Sequence, residues 1–169
     1  QDRKQFRPLY DRYYEPVFRF IYRRTLDEAL SADICSQVFL KAMQRLDRYQ
    51  FKGVPFSAWL LRIASNEVAQ HYRQQKKKRV VAIDQVPGAE WAEDMPIWEE
   101  DDNWRQVLIE TLDELKEKDL QLIELRFFEQ RPFKEIGTIL EITESNAKVR
   151  TYRILERMKK KLRQKGLSE

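Results

Sequence analysis

Apolar residues recur every three or four positions through most of the chain, a spacing typical of one face of a helix. Residues 3–25 carry the first such stripe, and Pro16 is placed to start a new turn or a kink within it. Ser31 is a good N-cap for a second helix that runs to about Tyr49. Since no segment alternates convincingly as a strand does, the pattern predicts helices throughout.

A third helix is predicted to have Pro55 at its first helical position, where the missing N–H costs nothing, and to continue through Tyr72. Its large apolar side chains, Phe56, Trp59 and Ile63, are expected mainly in a core. The first half of the chain therefore predicts a compact bundle of three or four helices.

The second half predicts further helices, beginning near Asn103. Pro132 is expected to open a short helix, and a break follows at residues 141–143. Glu141 occupies a turn where glycine would be easiest, and a non-glycine residue is tolerated there if the turn avoids positive φ. The last helix turns its apolar residues inward and is basic on its outer face. A short helix, a three-residue turn and a longer basic helix form the helix-turn-helix pattern, whose second helix enters a major groove.

Charge is unevenly distributed along the chain, which has a net charge of +4 and a sequence pI near 9.1. Residues 71–79 hold five basic residues and no acid, whereas residues 80–104 hold eight acids and no basic residue. Residues 148–169 hold nine basic residues and two acids. Solvated helix faces around a polar linker would give such blocks. Two basic blocks around an acidic one also indicate two small domains that contact one polyanion, for which a nucleic acid is the obvious candidate.

Composition argues against several classes of function. The single Cys35 and the single His71 leave no disulfide framework and little basis for a metal site. Cys35 falls on an apolar stripe and is expected in the core, with a redox thiol as the alternative. Because the chain has no Gly-rich phosphate loop and no activated nucleophile, we expect neither an enzyme nor a small-molecule cofactor. No apolar run approaches the ~18 residues of a membrane span, and no export leader is seen from Gln1, so the expected setting is soluble, reducing and cytoplasmic.

Three segments resemble parts of the bacterial sigma factors of the extracytoplasmic-function (ECF) group of the sigma-70 family. The resemblance to their polymerase-clamp-binding helix lies in ADICSQVFLKAMQRL, residues 32–46. The resemblance to their promoter-melting part lies in LDRYQFKGVPFSAWLLRIASNEVAQHYRQQKKKR, residues 46–79. Their C-terminal promoter-reading domain is similar to LDELKEKDLQLIELRFFEQRPFKEIGTILEITESNAKVRTYRILERMKKKL, residues 112–162. Two motif sets in the family's order and at the family's separation make the resemblance specific.

The resemblance implies an all-α fold of two small domains joined by an acidic linker. A region 2-like domain would span residues 1–79, the linker residues 80–102, and a region 4-like helix-turn-helix domain residues 103–169. Such a factor directs core RNA polymerase to promoters, reads the upstream element as duplex and captures a base in the melted downstream element. The implied partners are core RNA polymerase, promoter DNA in duplex and single-stranded form, and an anti-sigma factor, without membrane insertion. The acidic stretch is expected near the template-strand path of the polymerase and carries Trp91, Trp98 and Trp104.

The family's flipped-base pocket corresponds to Tyr49 and Asn66. Capture of an unpaired base needs an aromatic wall and an amide that both donates and accepts hydrogen bonds. The rim of this pocket corresponds to the connector residues Gln50, Phe51, Lys52 and Gly53. Phosphates of the separated strand would be held by Arg62, Arg73 and Arg79.

The family's other contact positions also have counterparts in this chain. The base-reading positions of the C-terminal domain correspond to Lys148, Val149, Tyr152 and Arg153. The residues placed for phosphate contacts, which position without specifying, are Arg126, Arg131, Lys134, Ser145, Asn146 and Arg150. The cluster that binds the polymerase clamp corresponds to Asp33, Ser36 and Gln37, with Lys41 nearby. The chain departs from residues common in the family at Ser36, Gln37, Gln70 and Val149.

Two other functions fit part of the pattern. One is a helix-turn-helix transcriptional regulator with an unrelated N-terminal sensing domain, and the other is a helical interaction module that binds an acidic partner. A sensor needs a ligand pocket, whereas the first half of this chain offers basic residues and exposed aromatic residues suited to single strands. Failure to bind DNA in the presence of polymerase would favour the interaction module.

Overall fold

A computed structural model describes residues 3–77, 81 and 104–164, and within these ranges every regular element is a helix. The predicted all-α class is therefore confirmed. The chain forms two compact units, one containing the first three helices and the other containing most of the later helical residues. None of the helices in the described ranges is both long and apolar enough to cross a membrane.

The predictions for the acidic linker fall on residues outside the described ranges, apart from Val81. The same holds for Arg79, Trp91 and Trp98. Trp104 begins the first helix that the structure describes in the second unit.

The first unit is a bundle of three α-helices that pack against one another in pairs, as predicted. These helices and the short 3-10 turn after the second are α1 (Arg3–Thr25), α2 (Glu28–Arg45), the turn Leu46–Arg48 and α3 (Phe56–Gln75). Burial of apolar side chains from all three helices stabilises the bundle. Its largest fully buried side chains are Phe20, Ile21, Leu60 and Leu61.

α1 is a single helix through both of its prolines, whereas the sequence predicts a new turn or a kink at Pro16. Each proline removes one intrahelical hydrogen bond. Both Pro8 and Pro16 are exposed, so water can satisfy the carbonyl that each one leaves without a donor. The apolar stripe around them, which includes the buried Val17, is sufficient to keep the helix whole.

α2 begins four residues earlier than predicted, because Asp27 and not Ser31 is its N-cap. The Asp27 carboxylate accepts a hydrogen bond from the Leu30 N–H at 2.9 Å, as an N-cap does. Ser31 is buried inside the helix, where its hydroxyl lies 2.6 Å from the Thr25 hydroxyl. The prediction that α2 runs to Tyr49 is also wrong, since α2 ends at Arg45 and the 3-10 turn precedes Tyr49.

α3 begins one residue later and ends three residues later than predicted. Pro55 is its N-cap rather than its first helical residue, and the Pro55 carbonyl accepts from the Ala58 N–H at 3.0 Å. The helix continues past Tyr72 to Gln75. Its C-cap is Lys76, which has a left-handed φ of 51°.

Among its described residues, the second unit contains four α-helices and one π-helical turn. They are α4 (Trp104–Asp113), α5 (Glu117–Ile123), the π-helical turn Glu124–Phe128, α6 (Phe133–Leu140) and α7 (Glu144–Gln164). Both α4 and α5 pack against α7. The inward stripe predicted for the last helix is confirmed, because all its members are buried: Ala147, Ile154, Leu155, Met158 and Leu162.

The break predicted at residues 141–143 is confirmed, but the turn does not avoid positive φ at Glu141. Glu141 has a φ of 59°, a left-handed conformation that costs a non-glycine residue about 1–2 kcal/mol. The hydrogen bond from the Ile142 N–H to the Gly137 carbonyl, at 2.9 Å, closes the end of α6 and compensates for this cost. The start of α7 is capped by the Thr143 hydroxyl, which accepts from the Asn146 N–H at 3.1 Å.

Candidate nucleic-acid interface

A basic cleft of about 200 Å³ opens on the surface of the first unit, between the end of α2 and the middle of α3. Its lining residues are Arg45, Arg48, Trp59, Arg62, Ile63, Asn66 and Glu67. Three guanidinium groups, an indole and a primary amide can together bind a phosphate, stack on a base and form hydrogen bonds with a base edge. The cleft therefore has the chemistry of a site for an unpaired nucleotide.

Asn66 lines this cleft, whereas Tyr49 is not among the lining residues and packs against Trp59. The Tyr49 ring centroid lies 5.1 Å from that of Trp59 and 5.0 Å from that of Phe56. Trp59 was expected mainly in the core, but it is only half-buried and presents its indole to the cleft. Trp59 therefore lines the cleft together with Asn66 and also contacts Tyr49, the other residue that the sequence predicts in this pocket.

The connector between Tyr49 and α3 is exposed at Gln50, Phe51, Lys52 and Gly53. Phe51 is 75% exposed, an unusual condition for a large aromatic side chain. Gly53 has a φ of 72°, which glycine adopts without strain. Val54, at the end of the connector, is buried and anchors it to the unit. The connector thus holds exposed side chains on an anchored backbone.

Two of the three arginines predicted to hold phosphates lie in the described part of α3. Arg62 lines the cleft, and Arg73 is exposed in the last turn of the helix. Arg45 and Arg48 were missed by the sequence analysis, although both are basic residues next to the predicted pocket residue Tyr49. That neighbourhood in sequence was the signal that could have identified them.

One exposed face of α2 carries the predicted polymerase-binding residues. Asp33, Ser36 and Gln37 are all exposed, and their spacing places them on the same side of the helix. Leu40 continues this face at 44% exposure and was missed, although its position three residues after Gln37 indicates it. Lys41 is partly exposed and forms an ion pair with Glu67 on α3.

The predicted base-reading residues lie together on the exposed surface of α7. Lys148 and Arg153 are exposed, and neither forms an ion pair within the described residues. Val149 is 45% exposed and Tyr152 54% exposed. All four lie in the first half of the helix, on the side opposite the buried stripe, as a helix that enters a groove requires.

The predicted phosphate contacts fall into two groups. Ser145 and Asn146 are exposed in the first turn of α7, and Lys134 is exposed in α6. The three arginines, Arg126, Arg131 and Arg150, are only partly exposed and contact protein groups.

Arg126 stacks on Phe133, with its guanidinium carbon 4.5 Å from the ring centroid. It also donates to the Arg131 carbonyl at 3.2 Å. Arg131 pairs with Glu135 at 3.1 Å, and Arg150 pairs with Asp119 at 3.2 Å. Each of these three arginines therefore has a structural role in the second unit.

Neither unit shows a metal site, since no group of three or more His, Cys, Asp or Glu side chains is gathered within the described residues. Cys35 is buried in the first unit, and this burial raises the pKa of its thiol to about 12. A thiol with such a pKa is almost wholly protonated near neutral pH and is a poor nucleophile. The expectation that Cys35 is a core residue is confirmed.

Two helical units, the second with a helix-turn-helix and the first with a basic cleft, define a nucleic-acid-binding class of protein. Comparison with known families agrees: the model for Sigma-70 region 2 matches residues 9–78, and the model for Sigma-70, region 4 matches residues 111–160.

Known proteins of similar sequence are named as RNA polymerase sigma factors. The chain is 30% identical over 149 residues to RNA polymerase sigma factor SigV of Bacillus subtilis, with 88% of this chain and 84% of SigV covered. It is 29% identical over 151 residues to ECF RNA polymerase sigma factor BldN of Streptomyces coelicolor, with 88% of this chain covered. The chain spans 56% of the length of BldN.

A solved structure shares the fold. The sigma factor RpoE, in its complex with the anti-sigma factor NepR from Bartonella quintana, superposes with a TM-score of 0.61 at 18% identity, covering 95% of this chain and 98% of that one. The chain belongs to the sigma-70 family of RNA polymerase sigma factors, within its ECF group. Sigma factors are non-catalytic subunits that serve transcription initiation by RNA polymerase.

Proposed function

We propose that this chain binds core RNA polymerase and directs it to promoters that its two units contact in different forms of DNA. Residues 1–79 bind polymerase and the melted downstream element, and residues 103–169 bind the upstream element as duplex. Residues 80–102 join the two. The observation that carries the proposal is the exposed face of α7, where Lys148 and Arg153 form no ion pair with any residue that the structure describes and which has the chemistry needed to read base edges.

The upstream element is read by Lys148, Val149, Tyr152 and Arg153. Lysine and arginine donate to the guanine acceptors O6 and N7, and apolar groups contact the thymine methyl group, both of which are accessible in the major groove. Phosphates on either side of the groove bind at the first turn of α7, where the exposed Ser145 and the positive end of the helix attract anions.

The downstream element is captured as a single strand at the cleft of the first unit. Trp59 and Phe51 provide stacking surfaces, Asn66 provides hydrogen bonds to a base edge, and Arg62 provides charge for the backbone. Stacking and hydrogen bonding of an extruded base offset the few kcal/mol needed to unstack it from the duplex. The two forms of DNA are thus bound by surfaces with different chemistry.

Core RNA polymerase binds the exposed face of α2. Asp33, Ser36 and Gln37 form its polar part, and Leu40 provides an apolar contact at its C-terminal end. Lys41 supports this face from beside it, through its ion pair with Glu67. An anti-sigma protein, of the kind that binds RpoE in the solved complex, regulates the chain by binding it in place of polymerase.

The proposal is tested by run-off transcription with purified core polymerase on a promoter library. Addition of the chain should produce transcripts from one class of promoter, and Leu40→Ala should reduce their yield by weakening polymerase binding. Asn66→Ala should impair formation of the open complex while binding to the upstream duplex persists. Gln74→Ala, which changes another exposed polar residue of α3, should behave as the unmodified chain. Absence of RNA from every template would refute the proposal.

A further inference from the structure

An acidic side chain lies in the basic cleft that we propose for the unpaired base. Glu67 follows Asn66 on α3 and lines the cleft beside Arg45, Arg48 and Arg62. Its side chain is only 16% exposed. One carboxylate oxygen, Oε1, accepts a hydrogen bond from Lys41, whereas the other, Oε2, accepts none from the described residues. The cleft therefore contains a half-buried hydrogen-bond acceptor that is not saturated.

A carboxylate is an unexpected group at a site for single-stranded DNA, because it repels the phosphates that the arginines attract. The three guanidinium groups offset this repulsion, but they do not explain why the acid is there. An ionised carboxylate has acceptor sites on both oxygens and no donor. Since polar groups that lose contact with water need partners, a base that enters this cleft must supply Oε2 with a donor.

The four bases differ in the donors that they can offer to a carboxylate. Cytosine, adenine and guanine carry an exocyclic amino group, and carboxylates are suited to accept from such groups, as they do from cytosine N4. Thymine has only its ring N3–H, which is flanked by two carbonyl oxygens. Those oxygens would lie close to the carboxylate and repel it. The acceptor thus discriminates against thymine.

We infer that Glu67 makes the cleft select a base with an exocyclic amino group and reject thymine at one position of the melted strand. The inference rests on the proposed function, since it requires that the cleft holds an unpaired base. Trp59 does not contribute to this choice, because every base has a face that stacks on an aromatic ring. Asn66 does not decide it either, because its amide offers both a donor and an acceptor.

A structural role for Glu67 predicts a different result. If its ion pair with Lys41 only ties α2 to α3, replacement of Glu67 would change stability and leave the base preference unaltered. Glu67→Gln keeps the size of the side chain and adds an amide donor, which can pair with a thymine carbonyl. Glu67→Ala removes the acceptor without adding a donor. Both variants should accept thymine, and only the glutamine variant should bind it well.

The experiment measures base preference in the complete holoenzyme. Core polymerase assembled with the unmodified chain, Glu67→Gln, Glu67→Ala or Glu15→Gln is incubated with single-stranded DNA that carries a short randomised window, and bound molecules are sequenced. Glu15 is an exposed acid of α1 that pairs with Arg19 outside the cleft, so its variant is the matched control. The unmodified chain and the control should deplete thymine about tenfold at one position. Glu67→Gln and Glu67→Ala should lose this depletion and keep the preferences at other positions.

Two outcomes would overturn the inference, and they differ in whether the proposed capture of a single strand also fails. If thymine stays depleted at that position in both Glu67 variants, Glu67 does not select the base, while the capture of a single strand stands. If the unmodified holoenzyme enriches no sequence at all, single-strand capture by the first unit fails and the inference fails with it. Because the preference is read only from assembled, DNA-bound complexes, a loss of stability in a variant lowers the yield without altering the result.

Discussion

Replacement of Gly137 by alanine tests the turn between α6 and α7, because two physical effects predict opposite signs. Alanine is about 1 kcal/mol more favourable than glycine within a helix, so helix propensity alone predicts stabilisation. Packing predicts the reverse. A Cβ atom at Gly137 would lie 2.8 Å from the Ile142 carbonyl oxygen and 3.2 Å from the Glu144 nitrogen.

The packing effect should prevail because the atoms that the methyl group meets belong to the backbone. The turn is held by the hydrogen bond from the Ile142 N–H to the Gly137 carbonyl and by the cap at Thr143, so these atoms cannot move independently. Overpacking of this kind costs about 1–3 kcal/mol. After subtraction of the gain in propensity, we expect Gly137→Ala to lower the free energy of unfolding by up to about 2 kcal/mol.

Thermal denaturation of the full chain, followed by circular dichroism, measures the effect. Each kcal/mol of loss should lower the Tm of the second unit by about 4–8 °C. Glu156→Ala is the matched control, because it places alanine at an exposed position of α7 and should change stability by less than about 0.5 kcal/mol. Hydrogen exchange of the Ile142 amide gives a local readout and should become faster in Gly137→Ala. A Tm equal to or above that of the unmodified chain would refute the packing argument.

Three further predictions concern charge, base reading and the thiol. Asp119→Asn should lower the free energy of unfolding by about 1 kcal/mol, because Asp119 pairs with both Arg150 and Arg157. Since Asp119 and Arg157 interact, the losses from Asp119→Asn and Arg157→Ala should not add in the double variant, and additive losses would disprove this coupling. Arg153→Ala should weaken binding to one class of promoter by ~1–3 kcal/mol and relax the preference at one base, whereas a uniform loss over all sequences would make Arg153 a phosphate contact. Because burial raises the pKa of Cys35 from 9.0 to about 12, the protonated thiol stabilises the fold fully below pH 9, and this contribution is lost as the pH rises toward 12. Urea denaturation across that range should show a steeper loss of stability for the unmodified chain than for Cys35→Ala.

The periodicity of apolar residues in the sequence was sufficient to predict the class of fold and the position of the break before the last helix. The three- to four-residue spacing reports which side of each helix is buried, and the buried residues of α7 match it. The break at residues 141–143 could be located because the apolar pattern of α6 ends at Leu140 and resumes at Ala147. These features depend on residues close together in the chain.

Helix ends were harder to predict because they depend on competition between neighbouring residues. Asp27 and Ser31 are both good N-caps, and the sequence does not say which is buried. The contact of Ser31 with Thr25 of the preceding helix decides it, since that contact leaves Asp27 to cap α2. The φ of Glu141 was unpredictable for a similar reason: the hydrogen bond from Ile142 to Gly137 requires a left-handed residue at that place, whichever side chain it carries.

The basic residues of α7 show why a charge pattern alone could not define the DNA-binding surface. Arg150, Arg157 and Lys161 lie on one side of the helix and pair with acids that are 31, 38 and 47 residues away in the sequence. Lys148 and Arg153 lie on another side and have no ion pair among the described residues. Ion pairs between residues so distant in sequence form only once the fold is assembled. The positive charge of this segment therefore serves two purposes: one set of residues ties α7 to the α4–α5 side of the second unit, and the other remains available for DNA.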